Sequence, residues 1–265
     1  MTTPSPILEI KNLDTRFGDH WVHRDLNLTV NKGEVLGIVG GSGSGKTTLL
    51  REVLGLTRPT GGSIKLFDLE LTNASTETLL KIQQRWGVLF QQNALFSSLT
   101  VLENVSFPLV EHTELDPETI RQLATLKILM AGLPIESIHL YPAELSGGMQ
   151  KRAGIARSIV MDPELIFLDE PTAGLDPNTA AGFDDLILNL QSTMGLTIVI
   201  VTHDLDSLWK VTDRVAFLGE KRVLCVDSMQ NLVRNPNPEI KEFFSGPRGR
   251  AAEGSYQDKS DNDAR

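Results

Sequence analysis

The sequence predicts an α/β fold: helices cover a mostly parallel sheet, an antiparallel β flank precedes it, and a helical insertion interrupts it. Short apolar strands alternate with helical segments after residue 33, which is typical of parallel sheets. Residues 7–30 instead alternate and carry β-branched residues, which predicts antiparallel strands. Residues 100–160 have mainly helical patterns, and they form the predicted insertion.

Turn residues and helix-start signals divide the chain into elements. Asn31-Lys32-Gly33 predicts a turn, and Pro59-Thr60-Gly61-Gly62 ends a helix before a strand. In chain order, the predicted elements are strands 7–10, 21–22, 26–30 and 34–39, helix 47–54, strands 63–66 and 86–90, helices starting near Thr100, Pro117 and Met149, and strands 165–168, 197–201 and 214–218.

Length fits one domain or two small ones, and the composition suits a well-packed domain. With 265 residues, 40% of them hydrophobic, the chain can build a full core. We expect residues 1–246 to form this domain, with a helical subdomain at about 92–160. Residues 247–265 are polar, with little to bury, and we expect them to be disordered.

Charge and apolar content limit the classes of partner. The net charge of −9 argues against nucleic acid, since binding it needs a basic surface. No apolar run reaches the roughly 18 residues that span a bilayer, and residues 1–6 do not resemble a secretory signal. The single cysteine, Cys225, lies in an apolar run and is predicted to be a buried strand residue. It suits a reducing compartment.

A phosphate-binding loop is the most informative motif. Gly40–Thr47 has the spacing G-x-x-x-x-G-K-[ST], in which glycines let backbone N–H groups turn inward around a triphosphate. Lys46 can reach the β- and γ-phosphates, and the Thr47 hydroxyl can ligate Mg²⁺. Phosphate would lie at a helix N-terminus, where the helix dipole favours negative charge. The residues expected to bind nucleotide here are Gly40, Gly41, Ser42, Gly43, Ser44, Gly45, Lys46, Thr47 and Thr48.

Two carboxylates, Asp169 and Glu170, follow the apolar strand 165–168. An acidic residue at the carboxyl end of a parallel strand near a P-loop can hold Mg²⁺, directly or through water, which suits Asp169. Glu170 is then placed to orient or deprotonate the attacking water. An Asp-Glu pair after a strand can also simply begin a loop, and the upstream P-loop favours the functional interpretation.

A second candidate phosphate-binding end is Ser146-Gly147-Gly148, before a predicted helix. Ser146 can donate a hydrogen bond to phosphate, and the glycines expose N–H groups at the helix N-terminus. Taken alone, a simple helix cap explains this segment better. If both ends bind phosphate, the second P-loop must come from another subunit.

Gln91 and His203 each follow a predicted strand. Gln91 opens the helical insertion, where its amide can contact Mg²⁺ or water and respond to a mobile segment. His203 is placed to contact the γ-phosphate. A lone histidine after a strand is usually a satisfied polar residue, but its position downstream of Asp169 and Glu170 favours a functional role.

The ordered motifs resemble the ATP-binding-cassette (ABC) ATPase family over residues 7 to about 230. The motifs are GGSGSGKT, Gln91, LSGGM, LIFLDE, AGLD at Ala173–Asp176, and His203. The resemblance implies that two copies pair head to tail, with each ATP between Lys46 of one chain and Ser146 of the other. Asp176 would then lie across that interface.

The resemblance also implies residue roles. Phe17 matches the aromatic residue that stacks on adenine, although Phe17, like the nearby His20 and Trp21, could simply pack in the core. The implied catalytic residues are Glu170, His203 and Gln91. The implied Mg²⁺ ligands are Thr47, Gln91 and Asp169, and ATP also contacts Ser146, Gly147 and Gly148 of the second copy.

Two stretches resemble a narrower group, the ATPases of MCE-type lipid transporters such as the Mla and Mkl branches. They are residues 90–101, FQQNALFSSLTV, and residues 107–113, FPLVEHT. This resemblance implies a separate integral membrane permease, an MCE-domain protein and a small regulatory subunit as partners. It also implies a location on the cytoplasmic face of the inner membrane, held there by the permease.

Three other functions share some of these features. The ATPase of an importer for small polar solutes such as amino acids would have the same ATP site and a different permease. A soluble cassette protein acting on nucleic acid or ribosomes is disfavoured by the single cassette and the net charge of −9. A catalytically inactive regulator is disfavoured because Lys46, Asp169, Glu170 and His203 are all present.

Overall fold

The computed structural model describes residues 5–245, which divide into two compact units. The first comprises residues 5–73 and 201–245, and the second comprises residues 74–200. In chain order, the strands are β1 (Pro6–Phe17), β2 (His20–Asn31), β3 (Val35–Gly40), β4 (Gly61–Leu66), β5 (Leu69–Glu70), β6 (Trp86–Leu89), β7 (Leu165–Asp169), β8 (Thr197–Val201), β9 (Arg214–Gly219) and β10 (Arg222–Asp227). The helices are α1 (Lys46–Val53), α2 (Thr76–Gln83), α3 (Val101–His112), α4 (Pro117–Met130), α5 (Gly147–Ser158), α6 (Pro177–Met194), α7 (Leu205–Val211), α8 (Met229–Val233) and α9 (Pro238–Ser245).

The first unit contains the predicted antiparallel flank, a sheet with the order β2-β1-β4-β5. β1 pairs with β2 along its length and with β4 on its other edge. Leu8, Ile10 and Leu13 of β1 are buried, with a register shift between Ile10 and Leu13 at a bulge. The prediction of antiparallel strands before the P-loop is confirmed.

A second group of strands in this unit carries the P-loop. β3 pairs in parallel with β9, which pairs antiparallel with β10. All six residues of β3 are buried, as expected for a strand covered on both faces. Gly37 of β3 allows close packing, because a Cβ there would lie 2.7 Å from Leu208 Cδ2 of α7. The P-loop therefore begins at the end of a rigidly packed strand.

The second unit contains parallel strands and most of the helical insertion. β6 pairs in parallel with β7, and β8 lies beside β7. α3, α4 and α5 pack against one another, and α5 also packs on β6. The predicted helix starts are confirmed: Thr100 forms a capping box with Glu103, and Asp116 caps α4 before Pro117.

Cys225 differs in part from its prediction. It lies in β10 as expected, but it is only half-buried. Its thiol accepts a hydrogen bond from Asn235 Nδ2 at 3.5 Å. Burial, followed by the nearby Asp227 charge, raises the pKa of the Cys225 thiol, so the thiol form is favoured. The segment 247–265, predicted to be disordered, lies outside the described residues.

Candidate functional site

The P-loop has the backbone that its glycines predict. Gly40, Gly43 and Gly45 have φ values of 152°, 77° and 99°, in a region that disfavours other residues. A side chain at Gly40 would also collide with the Leu218 carbonyl. Gly41 and Gly43 have open space where a Cβ would be, so the loop is uncovered there. These features fit a cradle for a phosphate chain.

Helix α1 begins directly after this cradle. Its N-cap residue, Gly45, provides no side-chain hydrogen bond to the first turn. The helix start therefore leaves backbone donors for a ligand, and its dipole favours an anion. This arrangement suits the predicted binding of ATP phosphates by Gly40–Thr48.

The Lys46 ammonium group folds back over the loop. It donates hydrogen bonds to Gly40 O at 2.8 Å, Gly41 O at 3.0 Å and Ser44 Oγ at 3.4 Å. The cation is thus held beside the open glycines of the loop. This position supports the predicted contact with phosphate.

Phe17 is the most open of the aromatic candidates near the loop, with 55% of its surface exposed. Trp21 is covered by two guanidinium groups, because Arg16 Cζ and Arg24 Cζ lie 5.5 Å and 5.7 Å from its ring centre. Exposure of Phe17 at the end of β1 leaves a ring available for stacking on adenine. His203 is also exposed, in the loop between β8 and α7.

The second unit contains Gln91, Asp169, Glu170 and the Ser146 segment. Asp169 ends β7 and is half-buried, and Glu170 follows with a left-handed φ of 48°. Gln91 is exposed just after β6. The predicted site residues are thus divided, with the P-loop, Phe17 and His203 in one unit and these residues in the other.

Ser146 is exposed at the start of α5. Its Oγ accepts a hydrogen bond from Met149 N at 3.3 Å, so it caps its own helix. Gly147 is exposed, and a Cβ at Gly148 would lie 2.7 Å from Thr179 Cγ2 of α6. The simple cap interpretation is therefore correct within one chain, and the exposed segment remains accessible to a second copy.

Lys151 of α5 joins two candidate catalytic segments. It was not predicted as a site residue. Its ammonium donates hydrogen bonds to Gln91 O at 2.7 Å and Glu170 O at 3.2 Å. Lys151 is only 4% exposed. Desolvation lowers the pKa of its ammonium, and the negative charges of Asp169 and Glu170 oppose that change. A lysine on the buried face of a predicted helix was the only available signal.

Arg157, near the end of α5, holds the same loop further along. Its guanidinium donates to Asn93 O at 2.9 Å and Ala94 O at 2.7 Å. Asn93 and Ala94 both have left-handed backbones, with φ values of 61° and 50°. Two cations of one helix therefore fix the backbone of residues 91–94, which carries the candidate ligand Gln91.

We expect Lys151→Met to lower the rate of ATP hydrolysis even under conditions in which the variant remains folded. The variant keeps the buried aliphatic stem but removes two charge-assisted hydrogen bonds, costing about 1–3 kcal/mol of folding free energy. Lys127→Met is a matched control, because Lys127 is also buried and pairs with Asp162 Oδ1 at 2.5 Å. Both variants should unfold at lower denaturant concentration. A normal rate for folded Lys151→Met would remove this residue from the site.

Comparisons with known proteins give the family. The profile described as ABC transporter matches residues 23–173. The intermembrane phospholipid transport system ATP-binding protein MlaF of Escherichia coli K12 is 37% identical over 241 residues, covering 91% of this chain and 89% of MlaF. The probable ribonucleotide transport ATP-binding protein Mkl of Mycobacterium tuberculosis H37Rv is 36% identical over 241 residues, covering 91% of this chain and 67% of Mkl.

Solved structures agree with this assignment. A dimeric ATP-binding cassette in a post-hydrolysis state with ADP and phosphate is 31% identical, with a TM-score of 0.76, and the match covers 84% of this chain and 98% of that one. CbiO1 of Clostridium perfringens, part of an ABC transporter complex, is 29% identical, with a TM-score of 0.79 and coverage of 95% and 99%. The predicted fold class is confirmed, and the chain belongs to the ABC transporter family as an ATP-hydrolysing, ATP-binding subunit.

Proposed function

We propose that this chain is the ATPase of a transporter that moves phospholipid between membranes. The observation that carries the substrate class is the similarity to MlaF, which spans about nine-tenths of both chains. The similar identity to Mkl leaves a polar solute as the competing substrate, because that relative is named for ribonucleotide transport. The FQQNALFSSLTV and FPLVEHT stretches resemble the Mla and Mkl branches alike, so the reconstitution experiment below decides between the two substrates.

In this proposal, the P-loop binds the phosphates of ATP and Phe17 stacks on adenine. Lys46 neutralises the β- and γ-phosphates, which concentrates positive charge where negative charge develops during hydrolysis. Glu170 orients or deprotonates the attacking water, and His203 contacts the γ-phosphate. Because Lys151 holds the Glu170 carbonyl, it also fixes the backbone from which this carboxylate extends.

The candidate Mg²⁺ ligands fit that ion chemically. Thr47, Gln91 and Asp169 supply hydroxyl, amide and carboxylate oxygens, the hard ligands that Mg²⁺ prefers. Within residues 5–245, no cluster of three or more His, Cys, Asp or Glu side chains forms a complete metal cage. When bound, Mg²⁺ would neutralise phosphate charge.

Two copies form the active unit in this proposal. The solved cassette dimer supports pairing of such chains. Exposed Ser146 and Gly147 are available to complete the ATP site of the other copy. We further propose an integral membrane permease, an MCE-domain protein and a small regulatory subunit as partners, with the assembly at the cytoplasmic face of the inner membrane. None of the helices within residues 5–245 is long and apolar enough to cross a bilayer.

An exposed aromatic pair on the helical insertion is the proposed permease-docking surface. Phe96 and Phe107 are 44% and 39% exposed, with ring centroids 4.9 Å apart. Asn104 of α3 fixes Phe96 by accepting from its N–H at 2.8 Å and donating to its carbonyl at 3.1 Å. Unlike these two exposed phenylalanines, the nearby Val101 is buried in the chain's own core. Rigidly held, exposed rings are suited to anchoring a partner helix.

We expect Phe96→Asp to weaken binding to the permease by roughly 30-fold or more, the effect of losing a hot-spot aromatic residue. Leu126→Asp on α4 is the matched control, since Leu126 is 51% exposed and lies outside the aromatic pair. Tagged variants would be purified from detergent-solubilised membranes, and the co-purified permease would be quantified. Equal recovery with both folded variants would place the docking surface elsewhere.

Reconstitution tests the substrate assignment. The assembled complex, purified through this chain, would be placed in vesicles with a fluorescent phospholipid, a radiolabelled ribonucleotide or a radiolabelled amino acid. We expect ATP-dependent movement of phospholipid only, and none with a Glu170→Gln complex. ATP-dependent movement of ribonucleotide or amino acid without phospholipid movement would identify a polar-solute transporter instead.

A further inference from the structure

Three polar side chains are buried together beside the P-loop. They are Thr15 of β1, His23 of β2 and Glu52 of α1, with exposures of 1%, 0% and 1%. Burial of an ionisable pair in an apolar core is costly unless both groups are well paired. The contacts of His23 and Glu52 therefore decide how these two buried groups are stabilised.

The hydrogen bond between Thr15 and Glu52 has a defined direction. Thr15 Oγ1 donates its proton to Glu52 Oε1 at 2.6 Å. His23 Nδ1 lies 3.2 Å from Thr15 Oγ1 and 3.2 Å from Glu52 Oε2. Glu52 Oε2 is buried and has no hydrogen-bond partner among the described residues, so its approach to His23 Nδ1 is a close contact and not a hydrogen bond.

The other ring nitrogen of His23 contacts the P-loop. Nε2 lies 3.2 Å from the carbonyl oxygen of Gly45. A carbonyl oxygen can only accept, so Nε2 must carry a proton in this contact. The ring is thus held with Nε2–H directed at Gly45.

The Gly45–Lys46 peptide links this contact to phosphate binding. The described chain has no cis peptide bonds, and in a trans peptide the C=O and N–H groups point in opposite directions. Gly45 O also accepts a hydrogen bond from Leu49 N at 2.8 Å in the first turn of α1, so His23 is the second of two donors to this carbonyl. Together they direct Lys46 N–H to the opposite side of the peptide. Glycine is required as well, since a Cβ at residue 45 would collide with His23 Nε2.

We propose that His23 is a positioning residue for ATP binding, which fixes the Gly45–Lys46 peptide through Nε2 while Glu52 and Thr15 hold its ring. This inference rests on the proposed role of the P-loop as the phosphate site. The peptide contacts phosphate both before and during hydrolysis, so its misorientation should raise KM for ATP much more than it lowers kcat.

Two substitutions of His23 separate the Nε2 contact with Gly45 from burial of the imidazole ring. The Gln side chain in His23→Gln can place an N–H donor near the Nε2 position, whereas the shorter His23→Asn places one near Nδ1. We expect His23→Asn to bind ATP about five- to tenfold more weakly, the effect of losing one hydrogen bond, and His23→Gln to retain most of the affinity. Calorimetric titration of the purified chain with ATP would measure both, beside melting temperatures.

The outcomes distinguish this inference from the proposed function. Equal ATP affinity for wild type and both folded variants would overturn the role of His23 alone. Failure of the wild-type chain to bind ATP would overturn the function of the P-loop itself. If the variants do not fold, ¹⁵N NMR of wild-type histidines decides the matter: a protonated His23 Nε2 coupled to the Gly45 carbonyl is expected, and an unprotonated Nε2 would contradict the proposal.

Discussion

Glu170→Gln is expected to bind ATP normally and hydrolyse it about 10²–10⁴-fold more slowly than the wild-type chain. The substitution keeps the size of the side chain and removes its ability to accept a proton. It should leave the fold intact, because the backbone of Glu170 is held through its carbonyl by Lys151. Phosphate release under single-turnover conditions would measure the loss.

The same variant tests the pairing of two chains. Blocked hydrolysis should trap two copies around ATP, so Glu170→Gln should elute as a dimer with ATP and Mg²⁺ and as a monomer without nucleotide. Glu164→Gln is the matched control, since Glu164 precedes the same strand and its Oε1 pairs with Arg85 Nη2 at 2.6 Å. Near-normal hydrolysis by Glu170→Gln would exclude Glu170 as the catalytic base, and a monomer with ATP would argue against the two-chain site.

Lys46→Ala is expected to lose both ATP affinity and hydrolysis. The ammonium is held over the P-loop by carbonyl groups 2.8 Å and 3.0 Å away, so its loss leaves the phosphate charge to backbone amides and Mg²⁺. Removing one such stabilising group typically lowers kcat by about 10²–10³-fold. Hydrolysis and ATP binding would be measured in the assembled transporter.

Lys65→Ala, at an exposed position of β4 in the same unit, controls for the loss of one positive charge. We expect this variant to behave as the wild type does. Unchanged ATP affinity and turnover for Lys46→Ala would contradict the assignment of the P-loop lysine. A fall in both variants alike would instead indicate a general effect of net charge.

The order of the elements could be predicted because their signals are local. The glycine spacing of the P-loop fixes its backbone, and Thr100 and Pro117 mark helix starts within one turn of themselves. Short elements were harder to predict. Helices α8 and α9 have few residues, and they pack in a core around Phe217, which is distant in sequence. Phe243 and Phe244 of α9 contact its ring, and Met229 and Leu232 of α8 belong to the same cluster.

The supporting contacts of the site could not be predicted for the same reason. Lys151 meets Gln91 across 60 positions, and Thr15 meets Glu52 across 37. Periodicity can place a polar residue on a buried face, but it cannot name the partner that satisfies it. Sequence therefore indicated the groups that contact ATP in the proposed mechanism and missed those that hold the groups in place.

The start of helix α1 links the stability of this protein to nucleotide binding. Helices α2 to α8 each begin with a Ser, Thr or Asp side chain that accepts a backbone N–H, whereas Gly45 gives α1 no such cap. A nucleotide phosphate at this position would replace the missing cap. A ligand present at a hundred times its Kd stabilises the fold that binds it by about 2.7 kcal/mol. Resistance of the purified chain to proteolysis should therefore rise when a nucleotide with bound phosphates is added.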